Sequence, residues 1–132
     1  MAKRTVPSEL LREAATSLKK VTADKRYAYN AAVLHAPNRG RCEVSLAGAW
    51  LAKTHKVDIT RDLEPLDFTL PIRRKMQALH CAEVGAFGKM FFYLLLPFSA
   101  GLDFIWPRMP RSPIALVAAL RKVAAEMKRK GY

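Results

Sequence analysis

Four consecutive residues, Asn38-Arg39-Gly40-Arg41, combine the chemical groups that an anion site requires. A glycine lets a ligand approach the backbone closely, and guanidiniums bind phosphate or carboxylate through paired hydrogen bonds. If a helix begins directly after Gly40, its free N–H groups point at the same ligand. We therefore expect an anion pocket made of Arg39, Gly40 and Arg41. The alternative is an ordinary exposed turn that carries two arginines.

Two further groups of cations could support this pocket. Arg73-Arg74-Lys75 follows the expected start of a helix, where cations oppose the helix dipole by roughly a few tenths of a kcal/mol. Their presence there favours a phosphate partner, although a solvated helix face explains the same residues. Lys53 stands near the end of another expected helix, where cations are favoured in any case. Arg73, Arg74 and Lys53 are therefore supporting candidates.

The whole chain is strongly basic. Its 132 residues include 23 Lys plus Arg against 11 Asp plus Glu, which gives a net charge of +12 and a pI of about 10.2. Solubility alone requires a smaller net charge than this in a small domain. We therefore expect an anionic partner, which is a nucleotide, a nucleic acid or an acidic protein surface. The charge does not distinguish among these partners.

The residues that could bind a metal or act in catalysis are dispersed along the chain. The three histidines and two cysteines lack the spacing of a metal site, so we expect no metal and no cofactor. Cys42 and Cys81 are predicted to be buried thiols. A Gly-x-Ser-x-Gly motif, paired carboxylates and a P-loop are all absent, which makes an enzyme the minority interpretation. A phosphodiesterase that uses His55 or His80 stays open.

The composition predicts one globular domain over residues 1–132, because 51% of the residues are hydrophobic and 26% are charged. The segment after the basic N-terminus is polar and lacks the apolar core of a signal peptide, so we expect a cytoplasmic protein. Charged residues interrupt the apolar stretch 85–106, which favours a buried core segment over a membrane span.

Helical periodicity predicts a mainly α fold of four or five helices. The first begins at Pro7, the second runs from Arg41 to about Lys56, and the third begins at Pro71. Met90 to Leu96 is expected to be a deeply buried helical segment, and Ser112-Pro113 is expected to open the last helix. We also expect a short extended segment at Tyr27 to Leu34 and a tight turn at Ala36 to Gly40. Gly101 to Pro113 is expected to be a non-helical connection.

Small residues form one face of the predicted second helix. Ala47, Gly48 and Ala52 would let another backbone approach this face closely. The approaching backbone could belong to the same chain or to a second subunit, so a homo-oligomer stays open.

Three short segments resemble a group of small uncharacterised bacteriophage accessory proteins. They are Gly40–Ala49 (GRCEVSLAGA), Leu63–Phe68 (LEPLDF) and Met76–Leu79 (MQAL), mainly within residues 38–85. Those relatives often carry a second cysteine where this chain has Ser45, so no cysteine pair is implied here. The resemblance implies a context, because accessory phage proteins frequently act on host defence. They mask nucleic-acid-handling machinery or hold a nucleotide signal.

Taken together, the residues predict a non-enzymatic protein that binds a phosphate-bearing ligand, either a nucleotide or a nucleic acid. One alternative is a protein-interaction inhibitor, whose basic face covers an acidic or nucleic-acid-binding surface of a host complex. The second alternative is a small phosphodiesterase, which would turn its ligand over.

Overall fold

The computed structural model describes residues 5–104 and 109–132. Over these residues the protein is 56% helical, with six α-helices and a small three-stranded sheet, so the predicted mainly α fold is confirmed. The elements are α1 (Pro7–Thr22), β1 (Tyr27–Tyr29), β2 (His35–Asn38), β3 (Arg41–Val44), α2 (Leu46–Thr54), a 3-10 turn (Pro65–Asp67), α3 (Leu70–Glu83), α4 (Phe87–Tyr93), α5 (Phe98–Gly101) and α6 (Pro113–Arg129).

The sheet contains the largest departure from the prediction. Its strand order is β1-β3-β2, with β1 parallel and β2 antiparallel to the central strand β3. Strand β1 lies inside the predicted extended segment, but the chain leaves the strand after Tyr29. Strand β3 occupies residues for which we predicted a helix. That prediction is wrong because Cys42 and Val44 are buried while Arg41 is exposed, which is the period of two that a strand requires.

Arg39 and Gly40 form the two-residue turn between β2 and β3. Asn38 pairs with Arg41 across this turn, and φ is 51° at Arg39 and 81° at Gly40. Two consecutive residues with positive φ are characteristic of a type I′ hairpin turn. The predicted turn is confirmed at Arg39 and Gly40 only, because Ala36 to Asn38 belong to β2, and a strand follows it. The helix N-terminus on which the predicted anion pocket depends is therefore not at Arg41.

Helix α2 begins at Leu46, later than predicted. The Ser45 hydroxyl caps it by accepting a hydrogen bond of 3.3 Å from the Gly48 N–H. Gly48 also lets another backbone approach, because a Cβ built on it would lie 1.7 Å from the Leu34 carbonyl oxygen. The prediction that this face of α2 accepts a second backbone is thus confirmed at Gly48, within one chain.

The helices bury the faces that the sequence pattern predicts. Helix α1 packs along α6 and against α2, while α3 packs against α4. Leu11 and Leu18 of α1 and Leu120 of α6 are completely buried. Helix α6 begins at Pro113 as predicted, although the Ser112 side chain makes no capping hydrogen bond. None of the helices in the described ranges is both long and apolar enough to cross a bilayer.

Helix α4 confirms only part of the prediction for Met90 to Leu96. The helix ends at Tyr93; Phe92 within it is 63% exposed, and Leu95 just beyond its end is 70% exposed. A short helix on the side of a core buries one face only, so an unbroken apolar run leaves side chains in solvent. The predicted non-helical connection is confirmed at residues 102–104 and 109–112, and its Trp106 lies outside the described residues.

Candidate functional site

A groove runs beside helix α3, and we call it the α3 groove. One wall is a polar stripe of Arg73, Gln77 and His80, which share a helix face because they are spaced at i, i+4 and i+7. The apolar residues 31–34 form another wall, and Ser45 also lines the groove. The cavity has a volume of about 260 Å³. A few convergent polar groups against an apolar wall are typical of a site for a small ligand.

The apolar wall of the groove is held by backbone packing. The Asn30 side-chain oxygen accepts a hydrogen bond of 3.0 Å from the Ala32 N–H, which bends the chain as it leaves β1. The Leu34 carbonyl then rests on Gly48, and it accepts a hydrogen bond of 3.4 Å from the Ser45 N–H. These contacts fix the distance between residues 31–34 and the start of α2.

Arg73 is a partly enclosed cation in this groove. Its Nε atom is buried and has no hydrogen-bond partner among the described residues. The described side chains that line the groove include no carboxylate, and α3 has no acidic residue in its first turn. A buried donor without a partner costs about 1–3 kcal/mol. An anion in the groove would supply the missing partner.

A buried carboxylate lies behind the groove. Glu83 is 6% exposed, and one of its oxygens accepts hydrogen bonds from the Tyr29 hydroxyl at 2.6 Å and the Leu46 N–H at 2.9 Å. Burial raises the pKa of Glu83, and burial together with this hydrogen bond raises the pKa of Tyr29. Nδ1 of His80 lies 4.0 Å from the other Glu83 oxygen. Glu83 therefore ties β1 and the start of α2 to α3, next to His80.

Our sequence reasoning missed Glu83, although the sequence contains a signal for it. Met76, Leu79 and Glu83 are spaced at i, i+3 and i+7, so the carboxylate falls on the apolar stripe of α3. A charged side chain on a buried helix face requires hydrogen-bond partners from other elements. The spacing could therefore have identified Glu83 as a buried polar anchor.

A second cavity adjoins the groove, and we call it the α3–α4 pocket. It has a volume of about 380 Å³ and shares Pro65, Arg73 and Gln77 with the α3 groove. Arg74 lines it from the same helix, and Tyr93 lines it from α4. The structure thus brings two of the predicted cations, Arg73 and Arg74, to one continuous concave surface.

The other predicted site residues lie at the far end of the sheet. Arg39, Gly40 and Arg41 form the exposed tip of the β2–β3 hairpin. Ser45, which lines the groove, is four residue steps along the strand from Arg41, and this corresponds to about 13 Å. The Lys53 ammonium lies 5.4 Å from the centroid of the Tyr27 ring in β1. The predicted residues therefore form two separate groups, and the structure does not bring them into one pocket.

His35 and the two cysteines have structural surroundings. Nδ1 of the fully buried His35 lies 2.6 Å from the Arg61 carbonyl oxygen and 3.4 Å from the Cys42 sulfur. Burial raises the pKa of Cys42 to about 11 and also raises the pKa of Cys81, so the prediction of buried thiols is confirmed. In the described ranges, no three His, Cys, Asp or Glu side chains are placed to hold a metal ion.

The α3 groove and the α3–α4 pocket are thus formed by side chains and backbone of this one chain. Their distinguishing features are the Arg73-Gln77-His80 stripe, the backbone wall at residues 31–34 and the carboxylate behind them. A comparison of the chain with protein-family models, with curated proteins and with solved structures finds no match.

Proposed function

We propose that this protein binds a phosphate-bearing ligand in the α3 groove and does not turn it over. Arg73 is the principal phosphate contact, and Gln77 and His80 are additional hydrogen-bonding groups. The observation that carries the proposal is the enclosed Nε of Arg73, which has no partner within residues 5–104 and 109–132. A guanidinium beside a phosphate forms strong, charge-assisted hydrogen bonds, so the ligand would satisfy this donor.

The distribution of charge supports an anionic ligand. In the described structure, Arg26 and Arg129 are the only Lys or Arg side chains that form an ion pair with a carboxylate. The net charge of +12 is therefore spread over many cations whose fields are not neutralised locally. Such a field raises the local concentration of anions and speeds their association with the protein.

The biological setting that we propose is a phage accessory protein in the cytoplasm of an infected host, with a role against host defence. It rests on the resemblance of Gly40–Ala49 and the neighbouring segments to small phage proteins. A groove of about 260 Å³ suits the phosphate and sugar of one nucleotide better than a long strand. Sequestration of a nucleotide signal is therefore the form of the proposal that we favour over masking of nucleic-acid machinery.

Calorimetric titration with linear and cyclic nucleotides, after a thermal-shift screen that also includes short DNA and RNA, tests the proposal. The Arg73→Met variant removes the guanidinium but keeps an unbranched stem of similar packing. We expect ligand affinity to fall at least about tenfold, because a charge-assisted hydrogen bond contributes about 1.5–3 kcal/mol. The free protein should keep its stability or gain about 1 kcal/mol, because a buried donor without a partner is removed.

Arg41→Gln and Arg39→Asn are the matched controls. Each removes one positive charge from the hairpin tip, and asparagine tolerates the positive φ found at Arg39. Both variants should bind a nucleotide as the wild type does. If they lose the ligand while Arg73→Met retains it, the site is the hairpin tip and the groove proposal is refuted.

Two further readouts separate the ligand classes and test the absence of turnover. Affinity for a long nucleic acid falls with salt with a log–log slope of about −0.9 for each neutralised phosphate on duplex DNA, whereas a nucleotide with a few contacts gives a shallow slope. Mass spectrometry of the nucleotide after incubation should return the unchanged mass. If the wild type forms a hydrolysis product and the His80→Asn variant does not, the function is phosphodiester hydrolysis and not binding alone.

A further inference from the structure

Exposed apolar side chains are concentrated around the α3–α4 pocket. Leu66, Leu70, Phe92 and Leu95, which we call the apolar patch, are 81%, 51%, 63% and 70% exposed. Three of the four line the pocket, and Leu66 follows the lining residue Pro65. Half of the large exposed apolar residues in the described structure therefore belong to one patch. A contiguous apolar patch of this kind usually marks a protein interaction site.

The backbone at Leu95 gives a second, independent observation. Helix α4 ends in a Schellman motif, because the Leu96 N–H donates to the Phe91 carbonyl at 2.8 Å and the Leu95 N–H donates to the Phe92 carbonyl at 3.0 Å. The position that Leu95 occupies has a φ of 63°, and glycine is the usual residue there. The chain thus holds an exposed leucine in a strained conformation where a glycine would relieve the strain.

The charges around the patch define the chemistry of its occupant. Arg73 and Arg74 line the same pocket, and the described lining contains no carboxylate. In the adjacent 3-10 turn, Asp67 accepts a hydrogen bond of 2.9 Å from the N–H of Glu64, the residue before Pro65. An occupant must therefore combine apolar anchors with negative charge. Segments of this kind bind concave surfaces as amphipathic helices, with anchors at i, i+3, i+4 and i+7.

We propose that the apolar patch docks an acidic amphipathic helix of a partner protein. Leucine-sized anchors enter the α3–α4 pocket between Leu70 and Leu95, and carboxylates of the helix pair with Arg74. None of the four apolar patch residues lines the α3 groove, so the apolar anchors of the helix would lie outside the phosphate site, although the α3–α4 pocket shares Pro65, Arg73 and Gln77 with that groove.

Fluorescence polarisation with a designed peptide tests this proposal. The probe is an 18-residue helical peptide with leucines at i, i+3, i+4 and i+7 and glutamates on the flanking positions. One control peptide replaces the glutamates with lysines, and another replaces the leucines with alanines. We expect the leucine–glutamate peptide to bind at least tenfold more tightly than either control.

The decisive variant is Leu95→Gly, which removes the side chain and also relieves the backbone. We expect it to raise the thermal midpoint by a few degrees and to weaken peptide binding at least tenfold. Loss of binding therefore does not reflect unfolding. Arg74→Gln should weaken binding of the glutamate peptide alone. Ile114→Ala is the matched control, because Ile114 is 78% exposed but lies on α6, outside the pocket.

Three results would overturn the proposal. The first is equal affinity for the leucine–glutamate peptide and its alanine control, which would reveal non-specific attraction to a basic protein. The second is unchanged peptide binding in Leu95→Gly. The third is a concentration-dependent dimer in analytical ultracentrifugation that Leu95→Gly abolishes, because the occupant would then be a second copy of the chain. Nucleotide binding by Leu95→Gly should stay at the wild-type level, which keeps this test distinct from the groove test.

Discussion

Replacing Gly48 with alanine should destabilise the protein, although alanine is the better helix former. Gly48 lies in α2, where an added Cβ would be 1.7 Å from the Leu34 carbonyl oxygen and 2.9 Å from its carbonyl carbon. Ordinary contacts with a Cβ begin at about 3.4 Å. The Leu34 carbonyl must therefore withdraw, and it is held in place by the neighbouring residues of β2 and by the Ser45 N–H.

The expected magnitude follows from two opposing terms. Alanine gains about 1 kcal/mol over glycine in intrinsic helix propensity. Overpacking costs about 1–3 kcal/mol, and the upper end applies because the clash is with backbone atoms rather than with a movable side chain. We therefore expect the free energy of unfolding to fall by about 2 kcal/mol. This is a large share of the total of about 5–15 kcal/mol that a small domain has.

Urea denaturation followed by circular dichroism measures this change as a lower midpoint with an unchanged slope. The matched control is Gly88→Ala in α4, where the nearest atoms to the added Cβ belong to side chains, the ring edge of Phe98 at 3.0 Å and a Leu102 methyl at 3.5 Å. Because that ring can turn away, the control should stay within about 1 kcal/mol of the wild type. A Gly48→Ala protein as stable as the wild type would refute the inferred backbone contact. The same variant should weaken nucleotide binding, because Leu34 lines the α3 groove.

Three other perturbations test the buried polar groups. The Cys42 thiol, whose pKa burial raises to about 11, should react with iodoacetamide at pH 8 about a hundredfold more slowly than a free cysteine, as mass spectrometry would show. Burial raises the pKa of Glu83, so the stability of the wild type should fall relative to that of Glu83→Gln as pH rises above the ordinary glutamate value of 4.5. Urea midpoints that change with pH in the same way in the two proteins would contradict this. His35→Ala should lower the free energy of unfolding by about 3 kcal/mol and speed tryptic cleavage at Arg61, whose carbonyl contacts the imidazole; unchanged cleavage would show that this contact does not hold the segment.

The long helices could be predicted because each has several turns of apolar periodicity and a proline that marks its start. Pro7, Pro71 and Pro113 all stand in the first turn of their helices. The strands could not be predicted in the same way. Each has three or four residues, which is too short for a period of two to stand out from a neighbouring helical pattern. The parallel pairing of Tyr27 with Cys42 is also a tertiary contact that no local pattern reveals.

The candidate site was predictable by residue type and not by geometry. Arg73 and Arg74 are identified from their position near the start of a helix, and both line the α3–α4 pocket. The groove itself depends on the Leu34 backbone resting on Gly48, which only the assembled fold shows. Asn38-Arg39-Gly40 fits both a helix entry and a type I′ turn, because each accepts asparagine and glycine. The choice depends on strand pairing that lies elsewhere in the chain.

During synthesis, a ribosome releases α1 long before α6, the helix that covers it. Ninety residues lie between Thr22 and Pro113, and translation at about 5–20 residues per second takes roughly 5–20 s to produce them. Helix α2 covers part of α1 earlier, because it follows soon in the chain. The part of the apolar face of α1 that packs on α6 stays uncovered until α6 emerges. We therefore expect chaperones to bind the nascent chain at this apolar face, and chains that stop before α6 should aggregate.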